Sequence, residues 1–425
     1  MKFLVIGSGG REHALVDRLA QSNEGYEVFA LPGNPGTAQL ATNLPGDPMD
    51  FAQVAEACQV NGIEVVIPGP EAPLVRGLSN YLREREIAVL GPSADAARLE
   101  GSKQFAKAFM QRHNIPTAPY RAFERGMVDD AVHYLTHEAQ PPFVVKANGL
   151  AAGKGVIITE DRREALAAMQ DMMVKNRFGD AGQRIVVEQY LEGVELSVIA
   201  LCAGEEYFFM PHSKDYKRVA EHDQGPNTGG MGAVSPVKFA SQELLKTVQL
   251  EILQPTLSGL FAEGMPFNGF LYMGLMLAAG KPYLLEYNVR LGDPEAQVIL
   301  PRISGDFAAA CASIAQHGTM RGNNLAIRPQ AACAVVCASE GYPGSYEKGK
   351  VIDLKHVPEA IKVYHAGTAQ TGGQLVTNGG RVLSCLAMAD ELGQACEAAQ
   401  LAAEQVVFQG RKYRKDIGRD VLSEA

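Results

Sequence analysis

Short apolar runs alternate with helical patterns across the first hundred residues of this chain. Residues 3–6, 28–30, 65–67 and 88–90 read as strands, and a helical stretch at about 12–21 follows the first of them. Strands that are separated by helices cannot pair as tight hairpins, so the pattern predicts a parallel, doubly wound sheet. Ligands bind such a sheet at the carboxyl ends of its strands, which here run into glycine- and proline-rich turns.

The rest of the chain predicts a mixture of α/β and α+β units. A helix at about 102–113 precedes a compact unit at 120–192, with strands at 143–146, 155–159 and 185–188 and a helix at 162–175. Further strands are predicted at 195–202, 270–277 and 283–287, and a helix near 243–263. From residue 331 a strand-rich segment begins, and it ends in a helix at 389–408. No long linker interrupts the chain, so its domains are expected to pack closely.

Length and composition predict a globular, multidomain protein of the cytosol. The chain has 425 residues, of which 46% are hydrophobic, and a single core rarely serves more than ~300 residues. The net charge of −9 argues against nucleic acid as a partner. A membrane is also not expected as a partner, because no apolar run approaches the ~18 residues of a spanning helix. Seven cysteines, an odd number without a Cys-x-x-Cys spacing, indicate a reducing compartment.

The most informative single segment is residues 284–295, which read LLEYNVRLGDPE. An apolar strand ends there in Glu286 and Asn288, whose side chains share one face because they are two residues apart. Two hard oxygen ligands can hold Mg²⁺ when substrate phosphates complete its coordination. Arg290 and Asp293 follow around a glycine. Taken alone, the segment fits a solvated strand end better, so the metal hypothesis depends on other parts of a nucleotide site.

The turn at residues 7–13 reads GSGGREH and connects the first strand to the first helix. Free backbone N–H groups and the positive end of the helix dipole make such a turn an anion site. A dinucleotide fingerprint requires a third glycine where this chain has Glu12, and an acidic residue after the second strand, where it has none. Arg11 therefore favours a phosphate-bearing substrate. The alternative is a tight turn with a capped helix.

A second glycine loop, KANGLAAGKG at residues 146–155, is flanked by two lysines. It is not a Walker A loop, because only three residues separate Gly149 from Gly153 and Gly155 follows the lysine. Backbone N–H groups together with Lys146 and Lys154 nevertheless suit a triphosphate. A mobile hairpin is the alternative, but it does not explain a lysine within the apolar run before the loop, since buried lysines without a partner are rare.

Two further segments are weaker indications of a site. The acidic hinge VVEQYLEGVE at residues 186–195 offers backbone groups for a purine edge and Glu195 for ribose hydroxyls. The charged run SKDYKR at 213–218 precedes the glycine-dense run GPNTGGMG at 225–232. Such glycine density indicates close backbone approach or positive φ, and suggests a second substrate. Solvated loops would account for either segment equally well.

Together these motifs resemble the ATP-grasp ligases, and among them the glycinamide ribonucleotide synthetase (phosphoribosylamine–glycine ligase) family. GPEAPL at 69–74 and NGGR at 378–381 complete the set, which occurs in the family's order over essentially the whole chain. The resemblance implies an N-terminal substrate-binding domain at 1–101, an ATP-grasp domain at 102–325 with a lid at about 120–192, and a small strand-rich C-terminal domain at 326–425. It also implies that activities fused to this ligase in some eukaryotes are absent.

The resemblance implies a role for each matching residue. ATP is expected at Lys103, Lys146, Gly153, Lys154, Gly155, Glu188, Tyr190, Leu191 and Glu195, and Mg²⁺ or Mn²⁺ at Glu286 and Asn288. Catalytic roles fall to Arg290, Asp293, Asp215 and Lys217. The remaining substrates are expected at Gly9, Gly10, Arg11, Glu71, Asp215, Asn227, Gly230, Arg290, Gly292, Asp293, Asn378, Gly379, Gly380 and Arg381.

The implied reaction joins glycine to 5-phosphoribosylamine with ATP, in a monomer and through a glycyl phosphate. Two positions depart from the family's pattern: Asn148 stands where aspartate is frequent, and Ala220-Glu221 where Gly-Asp is common. The first departure removes a negative charge near the triphosphate. Two alternatives stay open, an ATP-grasp ligase with a different amine acceptor and a non-catalytic nucleotide-binding protein. The second would be expected to have lost Glu286, Asn288 or Lys154, and all three are present.

Overall fold

The computed structural model describes residues 1–22, 25–151, 155–175, 177–320, 322 and 324–423. Within these ranges the chain forms a five-stranded sheet, a six-stranded sheet and two four-stranded sheets, together with three two-stranded ribbons. No helix of the described residues is long and apolar enough to cross a membrane.

The N-terminal residues form a five-stranded sheet in the order β3-β2-β1-β4-β5, and every neighbouring pair is parallel. Its elements are β1 (Lys2–Gly7), α1 (Gly10–Ala20), β2 (Glu27–Pro32), β3 (Thr42–Asn43), α2 (Phe51–Asn61), β4 (Val65–Pro68), α3 (Glu71–Val75), α4 (Leu78–Arg83), β5 (Ala88–Val89) and α5 (Ala94–Gly101). Successive residues of β1 enter two different cores, one on each face of the sheet. The predicted doubly wound sheet is confirmed. The short β3 was not predicted, because its two polar residues form no apolar run.

The next unit is a four-stranded antiparallel sheet with its own core, in the order β6-β9-β7-β8. Its elements follow α6 (Lys103–Arg112) and are β6 (Tyr120–Phe123), α7 (Val128–His137), β7 (Phe143–Ala147), β8 (Val156–Thr159), α8 (Arg162–Met173) and β9 (Ile185–Gln189). The α+β character predicted for residues 120–192 is observed. We call this sheet with its two covering helices the lid sheet.

A central antiparallel sheet in the order β11-β10-β16-β17 faces the lid sheet across the cleft described below. This part of the chain contains β10 (Val194–Ala203), β11 (Glu206–Phe209), β12 (Lys214–Asp215), β13 (Arg218–Ala220), β14 (Gln224–Asn227), β15 (Gly232–Ser235), α9 (Gln242–Val248), α10 (Gln254–Ala262), β16 (Asn268–Ala278), β17 (Lys281–Asn288), α11 (Glu295–Ile299), β18 (Ile303–Ser304), α12 (Phe307–His317) and β19 (Ala326–Ile327). A π-helical segment, Gln249–Leu253, divides the single helix that was predicted at 243–263. Pro255 in the next turn lacks an N–H and cannot continue the regular ladder.

The last sheet joins distant parts of the chain, in the order β12-β15-β20-β24-β21 with β25 beside β20. The C-terminal elements are β20 (Ala331–Ser339), β21 (Lys362–His365), β22 (Thr368–Thr371), β23 (Gln374–Thr377), β24 (Arg381–Ala389), α13 (Leu392–Gln405), β25 (Arg411–Lys412) and α14 (Arg419–Ser423). The helix predicted at 389–408 was wrong at its start, because Ala389 still pairs with Ala331 as the last residue of β24. Two strands that precede residue 236 thus complete a sheet of the C-terminal residues.

Candidate active site

A cleft of about 910 Å³ lies between the lid sheet and the central sheet, and residues of the N- and C-terminal parts close one end of it. Most of the predicted site residues line this cleft: Arg11, Glu71, Lys103, Lys146, Gly155, Glu188, Tyr190, Leu191, Glu195, Asp215, Lys217, Asn227, Glu286, Asn288, Arg290, Gly292, Asp293 and Arg381. These positions are up to 370 residues apart in sequence, from Arg11 to Arg381. The fold therefore brings the separate motifs into one site.

The other predicted site residues do not line the cleft. Gly9, Gly10 and Gly230 are not part of its lining. Asn378 and Gly379 pack against the backbone of Gly367, and Gly380 packs against the rings of Tyr342 and Tyr346. Gly367 and Gly379 approach so closely that a Cβ atom on Gly367 would lie 2.4 Å from the Cα atom of Gly379. Of the NGGR motif, only Arg381 reaches the cleft. Gly153 and Lys154 lie outside the described residues.

A buried carboxylate and two lysines mark one end of the cleft. Glu188 at the end of β9 receives Lys146 from β7 at 2.9 Å and Lys107 from α6 at 3.1 Å, both on its Oε2 atom. Lys107 is 2% exposed and also donates to the Thr117 hydroxyl at 2.7 Å. Burial acts to raise the pKa of Glu188, but the two ammonium groups outweigh it and hold the pKa below its ordinary value. The carboxylate is therefore ionised at neutral pH.

The sequence argument expected a phosphate as the partner of Lys146, and the structure adds a partner within the chain, Glu188. The second oxygen atom of the Glu188 carboxylate differs from the first. Its Oε1 is buried and has no hydrogen-bond partner within the described part of the chain. Because unpaired buried acceptors are costly, an amino group of a ligand is the natural partner for this oxygen.

Apolar side chains form the walls of the cleft beside Glu188, Lys146 and Lys107. Val144 and Val156 come from the lid sheet, and Met276 and Leu285 from the central sheet. Leu191 in the hinge between the two sheets closes the edge. A flat, apolar slot with one polar end is typical of a site for a planar base.

The N-terminus of α6 is tied to the glycine loop of the lid sheet. Asn148 accepts hydrogen bonds from the Ser102 hydroxyl at 3.1 Å and from the Gln104 N–H at 2.8 Å. Lys103 donates through Nζ to the carbonyl of Gly149 at 3.3 Å, and burial lowers its pKa. The departure at Asn148 therefore has a structural role, because the amide oxygen satisfies a free N–H of the first helical turn without adding a charge.

The proposed metal ligands lie together at the end of β17. Burial acts to raise the pKa of Glu286, but Lys217, Lys146 and Lys103 outweigh it and lower the pKa below its ordinary value. Asn288 accepts a hydrogen bond from Arg290 through Oδ1 at 2.8 Å. Among the described residues, no cluster of three or more His, Cys, Asp or Glu side chains is arranged to hold a metal ion. An ionised carboxylate beside an amide oxygen fits Mg²⁺ only if phosphate oxygens supply the other ligands.

Arg290 is clamped between carboxylates from the N-terminal part. Its Nη2 lies 2.8 Å from Glu100, and its Nε lies 3.3 Å from Glu71 without hydrogen-bond geometry. Glu100 also accepts the N–H of Val289 at 2.7 Å, so it fixes both the backbone and the side chain at this point. The Nε–H of Arg290 forms no hydrogen bond of regular geometry in the described ranges, and the Glu71 carboxylate beside it balances its charge.

Opposite charges meet where β12 enters the cleft. Lys217 pairs with Glu195 at 2.6 Å, so the carboxylate predicted for the ribose is already engaged by a lysine. Burial raises the pKa of Asp215 to about 8, with Glu295 and Glu195 adding to the effect and Lys217 opposing it. Burial acts to lower the pKa of Lys217, but Asp215 and Glu195 outweigh it and hold the pKa well above its usual range.

Arg381 connects the C-terminal part to the glycine-dense run. Its Nη1 donates to the carbonyl of Gly229 at 2.6 Å and to that of Asp293 at 2.7 Å, and its Nη2 lies 3.2 Å from the Asp293 carboxylate. Burial acts to raise the pKa of Asp293, but Arg381 and Arg11 outweigh it and lower the pKa. The side chain expected to face a phosphate thus also fixes the backbone of two loops.

The first glycine turn is filled by a protein carboxylate. Glu12 accepts the N–H of Gly9 at 2.6 Å and the Nε–H of Arg11 at 2.5 Å. A Cβ atom on Gly69 would lie 2.0 Å from Glu12 Oε1, so this position must be glycine for the two turns to meet. The Gly9 N–H is therefore already satisfied, and Arg11 is the part of the turn that lines the cleft.

The sequence did not single out Lys107, Glu100, Glu295 and Tyr342, all of which line the cleft. Lys107 lies four residues after Lys103, so helical periodicity places both on one face and could have identified it. Glu295 accepts from Ser197 at 3.3 Å, and Ser197 contacts the Tyr272 hydroxyl at 2.9 Å. No local signal marks Glu100 or Tyr342, because only tertiary packing brings them to the cleft.

Comparison with known families shows what kind of site this is. A family model described as the ATP-grasp (A) domain of phosphoribosylglycinamide synthetase matches residues 101–296. The models of the N domain and C domain match residues 1–100 and 332–420. The chain belongs to the phosphoribosylglycinamide synthetase family. The predicted class, an ATP-dependent ligase with the ATP-grasp fold, is confirmed.

Relatives of the family resemble the chain over its length. A protein of Rhizobium meliloti named phosphoribosylamine–glycine ligase is 45% identical over 419 residues, 98% of each chain. A Pseudomonas aeruginosa protein of the same name is 45% identical over 98% of this chain and 97% of its own. The human trifunctional purine biosynthetic protein adenosine-3 is 43% identical over 98% of this chain, which spans 42% of that protein.

Solved structures give the same assignment. The crystal structure of phosphoribosylamine–glycine ligase from Thermotoga maritima superposes with a TM-score of 0.83 at 38% identity, covering 98% of this chain and 100% of the other. The biotin carboxylase domain of the Hydrogenobacter thermophilus 2-oxoglutarate carboxylase superposes with a TM-score of 0.74 at 18% identity, covering 97% and 91%. The second likeness shows a shared fold alone.

Proposed function

We propose that the chain ligates glycine to 5-phosphoribosylamine with ATP and yields glycinamide ribonucleotide, ADP and phosphate. The observation that carries the proposal is that one cleft is lined by a base slot, by the two candidate metal ligands and by Arg290, which two carboxylates hold in place. Relatives named for this reaction match the chain over its length. Each residue role below is part of the proposal.

ATP binds with its base in the slot between the lid and central sheets. The Oε1 atom of Glu188 accepts the exocyclic amino group of adenine, which supplies the partner that this oxygen lacks. A base with a carbonyl oxygen at that position would face the carboxylate and be repelled. Lys146 and Lys103 reach the phosphates from opposite sides, and the glycine loop at 149–155, including Gly153 and Lys154, completes the phosphate site. Tyr190 and Leu191 lie along the edge of the base.

Glu286 and Asn288 would hold Mg²⁺ together with phosphate oxygens of the substrate, and the same hard donor set would accept Mn²⁺. When bound, the ion neutralises charge on the β- and γ-phosphates during transfer. Asn288 is oriented for this role by its hydrogen bond from Arg290. The lysines around Glu286 keep it ionised and therefore available as a ligand.

Glycine is a zwitterion, and Asp215 and Lys217 both line the cleft. Burial raises the pKa of Asp215 to about 8 in the ligand-free cleft, and the ammonium group of a bound glycine would favour its ionised form. We assign the ammonium group of glycine to Asp215 and its carboxylate to the side of Lys217 and Arg290. One carboxylate oxygen attacks the γ-phosphorus, the bond to the β–γ bridging oxygen breaks, and ADP leaves. The products are ADP and glycyl phosphate, and the step requires positioning and charge stabilisation rather than a protein nucleophile.

The amino group of 5-phosphoribosylamine then attacks the acyl carbon of glycyl phosphate. The carbon–oxygen bond to phosphate breaks, and the departing phosphate takes the amine proton, so the amide forms without a protein base. We place the sugar phosphate near Arg11, Gly292 and Arg381, with Asp293 holding the two arginines in place. Glu71, Asn227 and the loops around Gly9, Gly230 and residues 378–380 shape this end.

Both the acyl phosphate and the amine substrate react with water, so the cleft must close before chemistry. We propose that the lid sheet performs this closure as a body, because its core is separate from the other cores of the described chain. We further propose that the chain is divided into three domains, at residues 1–101, 102–325 and 326–425. We also propose that the protein is a monomer of the cytosol, and the free, buried cysteines of the described ranges agree with a reducing compartment.

The direct test is ADP release by the purified protein with MgATP, glycine and freshly generated 5-phosphoribosylamine, omitting each in turn. We expect release that requires both glycine and the amine. Alanine and ammonia serve as matched controls for the two acceptor positions. Release with neither substrate, or with a different amino acid or amine, would overturn the substrate assignment and leave the ATP-grasp class.

A further inference from the structure

The segment at residues 214–218, here called the acceptor strand, has two functional faces. Asp215 and Lys217 line the cleft, whereas the side chains of Lys214 and Tyr216 contact the C-terminal end of the described chain. This is the alternation that an extended strand imposes on successive residues. The positions of Asp215 and Lys217 therefore depend on what holds the opposite face.

The opposite face is held by polar contacts that are largely buried. The Tyr216 hydroxyl donates to Asp420 Oδ1 at 2.5 Å and accepts the N–H of Gly418 at 3.0 Å. Lys214 forms an ion pair with the other oxygen of Asp420. Tyr216 is 2% exposed, so loss of its hydroxyl would leave the Gly418 N–H without this acceptor.

A second set of contacts fixes the end of the acceptor strand. Arg414, 2% exposed, donates to the carbonyl of Arg218 at 3.1 Å and to Asp223 at 2.7 Å. Its guanidinium also forms two hydrogen bonds with Asp416, at 2.8 and 2.7 Å. Asp416 in turn accepts the N–H of His222 at 2.8 Å. Both ends of the acceptor strand are thus joined to residues 414–420, here called the brace.

The backbone of the acceptor strand is paired on one edge with the glycine-dense run. The carbonyl of Tyr216 accepts from Met231 at 2.7 Å, and the carbonyl of Lys217 accepts from Thr228 at 2.7 Å. These backbone hydrogen bonds fix the register of the acceptor strand along that edge. Side-chain contacts on the opposite face fix its rotation about its own axis. The brace supplies those contacts, and none of its residues lines the cleft.

We propose that the brace is a positioning element for catalysis, which sets Asp215 and Lys217 against the substrates that receive the phosphoryl and acyl groups. The inference rests on the proposed function only in assigning Asp215 and Lys217 to glycine and its amine partner. Small displacements of such groups cost rate, since acyl transfer depends on near-attack geometry. The base slot is built by other strands, whereas Glu195, expected at the ribose, contacts the acceptor strand through Lys217 at 2.6 Å. The brace should therefore affect the acceptor substrates more than ATP.

The test compares two buried tyrosines that each lose one hydroxyl bonded to an aspartate. Tyr216→Phe removes the contact with Asp420, and Tyr364→Phe removes a similar contact with Asp17 at 3.0 Å, where neither residue lines the cleft or contacts the acceptor strand. We expect similar losses of thermal stability in both. Only Tyr216→Phe should reduce kcat/KM for glycine or the amine, by about tenfold, with a clearly smaller change in KM for ATP.

Two further readouts separate positioning from general destabilisation. Asp420→Asn, which keeps an acceptor for the Tyr216 hydroxyl, should lose less activity than Asp420→Ala. Amide hydrogen exchange at Thr228 and Met231 should quicken in Tyr216→Phe and stay unchanged in Tyr364→Phe. The proposal is overturned if both tyrosine variants show the same kinetics, or if KM for ATP changes as much as the acceptor constants. A wild-type protein inactive with glycine and 5-phosphoribosylamine would instead refute the proposed function.

Discussion

Lowering the pH from about 7.5 to about 5 is expected to loosen the joint between α1 and β21, because two buried histidines there must stay neutral. His13 is 5% exposed and His365 is 4% exposed. The backbone N–H of His365 donates to His13 Nδ1 at 2.8 Å. That bond requires a lone pair on Nδ1, so a protonated His13 cannot form it.

The pKa shifts of the two histidines give the size and sign of the change in unfolding free energy. Burial, followed by the neighbouring His365, lowers the pKa of His13 from 6.5 to about 3, although Asp17 opposes the change. Burial lowers the pKa of His365 from 6.5 to about 4. Because the folded pKa values are depressed, the stabilisation is complete above pH 6.5 and is lost as pH falls towards the folded values. At a pH of about 5 each histidine costs about 2 kcal/mol of unfolding free energy, since one pKa unit is ~1.4 kcal/mol.

The assay is denaturant unfolding at the two pH values, combined with NMR titration of the histidine rings. His13→Asn offers an acceptor near the Nδ1 position without a titrating ring, so its loss of stability on acidification should be about 2 kcal/mol smaller than that of the wild type. The matched control is His356→Asn at an exposed position, which should lose as much unfolding free energy on acidification as the wild type. The reasoning is refuted if the rings of His13 and His365 titrate near 6.5, or if His13→Asn loses as much stability as the wild type.

Three further predictions concern the cleft. Glu286→Gln should abolish Mg²⁺-dependent turnover while circular dichroism stays native, because a neutral amide is a poor ligand; near-normal activity would remove the metal assignment. Arg381→Lys should lower kcat/KM for 5-phosphoribosylamine by roughly tenfold to a hundredfold and leave KM for ATP unchanged, since lysine cannot bridge Gly229 and Asp293 at once; equal changes for both substrates would contradict this role. Solution scattering should show a more compact particle with an ATP analogue and glycine than without ligands, and identical curves would refute closure of the lid sheet.

The sequence predicted what depends on local patterns. The apolar runs at 3–6 and 65–67 gave the parallel sheet, because burial on both faces leaves no polar alternation. The spacing of Glu286 and Asn288 placed both at the cleft, since residues two apart on a strand share a face. The glycine-rich motifs marked turns at the cleft because only close approach or positive φ requires such density.

What the sequence missed depends on contacts between distant segments. Glu188 and Lys107 meet only when the lid sheet docks on α6, so the partner of Lys146 could not be read from its own strand. The ion pair between Glu100 and Arg290 forms because α5 packs against β17. The start of α13 was misplaced because an alanine-rich run suits a strand beside β20 as well as a helix, and tertiary pairing decides between them.

The central claim is that glycine is activated as an acyl phosphate in this cleft, and oxygen-18 transfer tests it most directly. Glycine labelled in both carboxylate oxygens is turned over with MgATP and 5-phosphoribosylamine, and the inorganic phosphate is analysed by mass spectrometry. The account predicts one labelled oxygen in each phosphate released, because the carbon–oxygen bond breaks when the amide forms. Unlabelled phosphate, with amide product formed at the same rate, would contradict it.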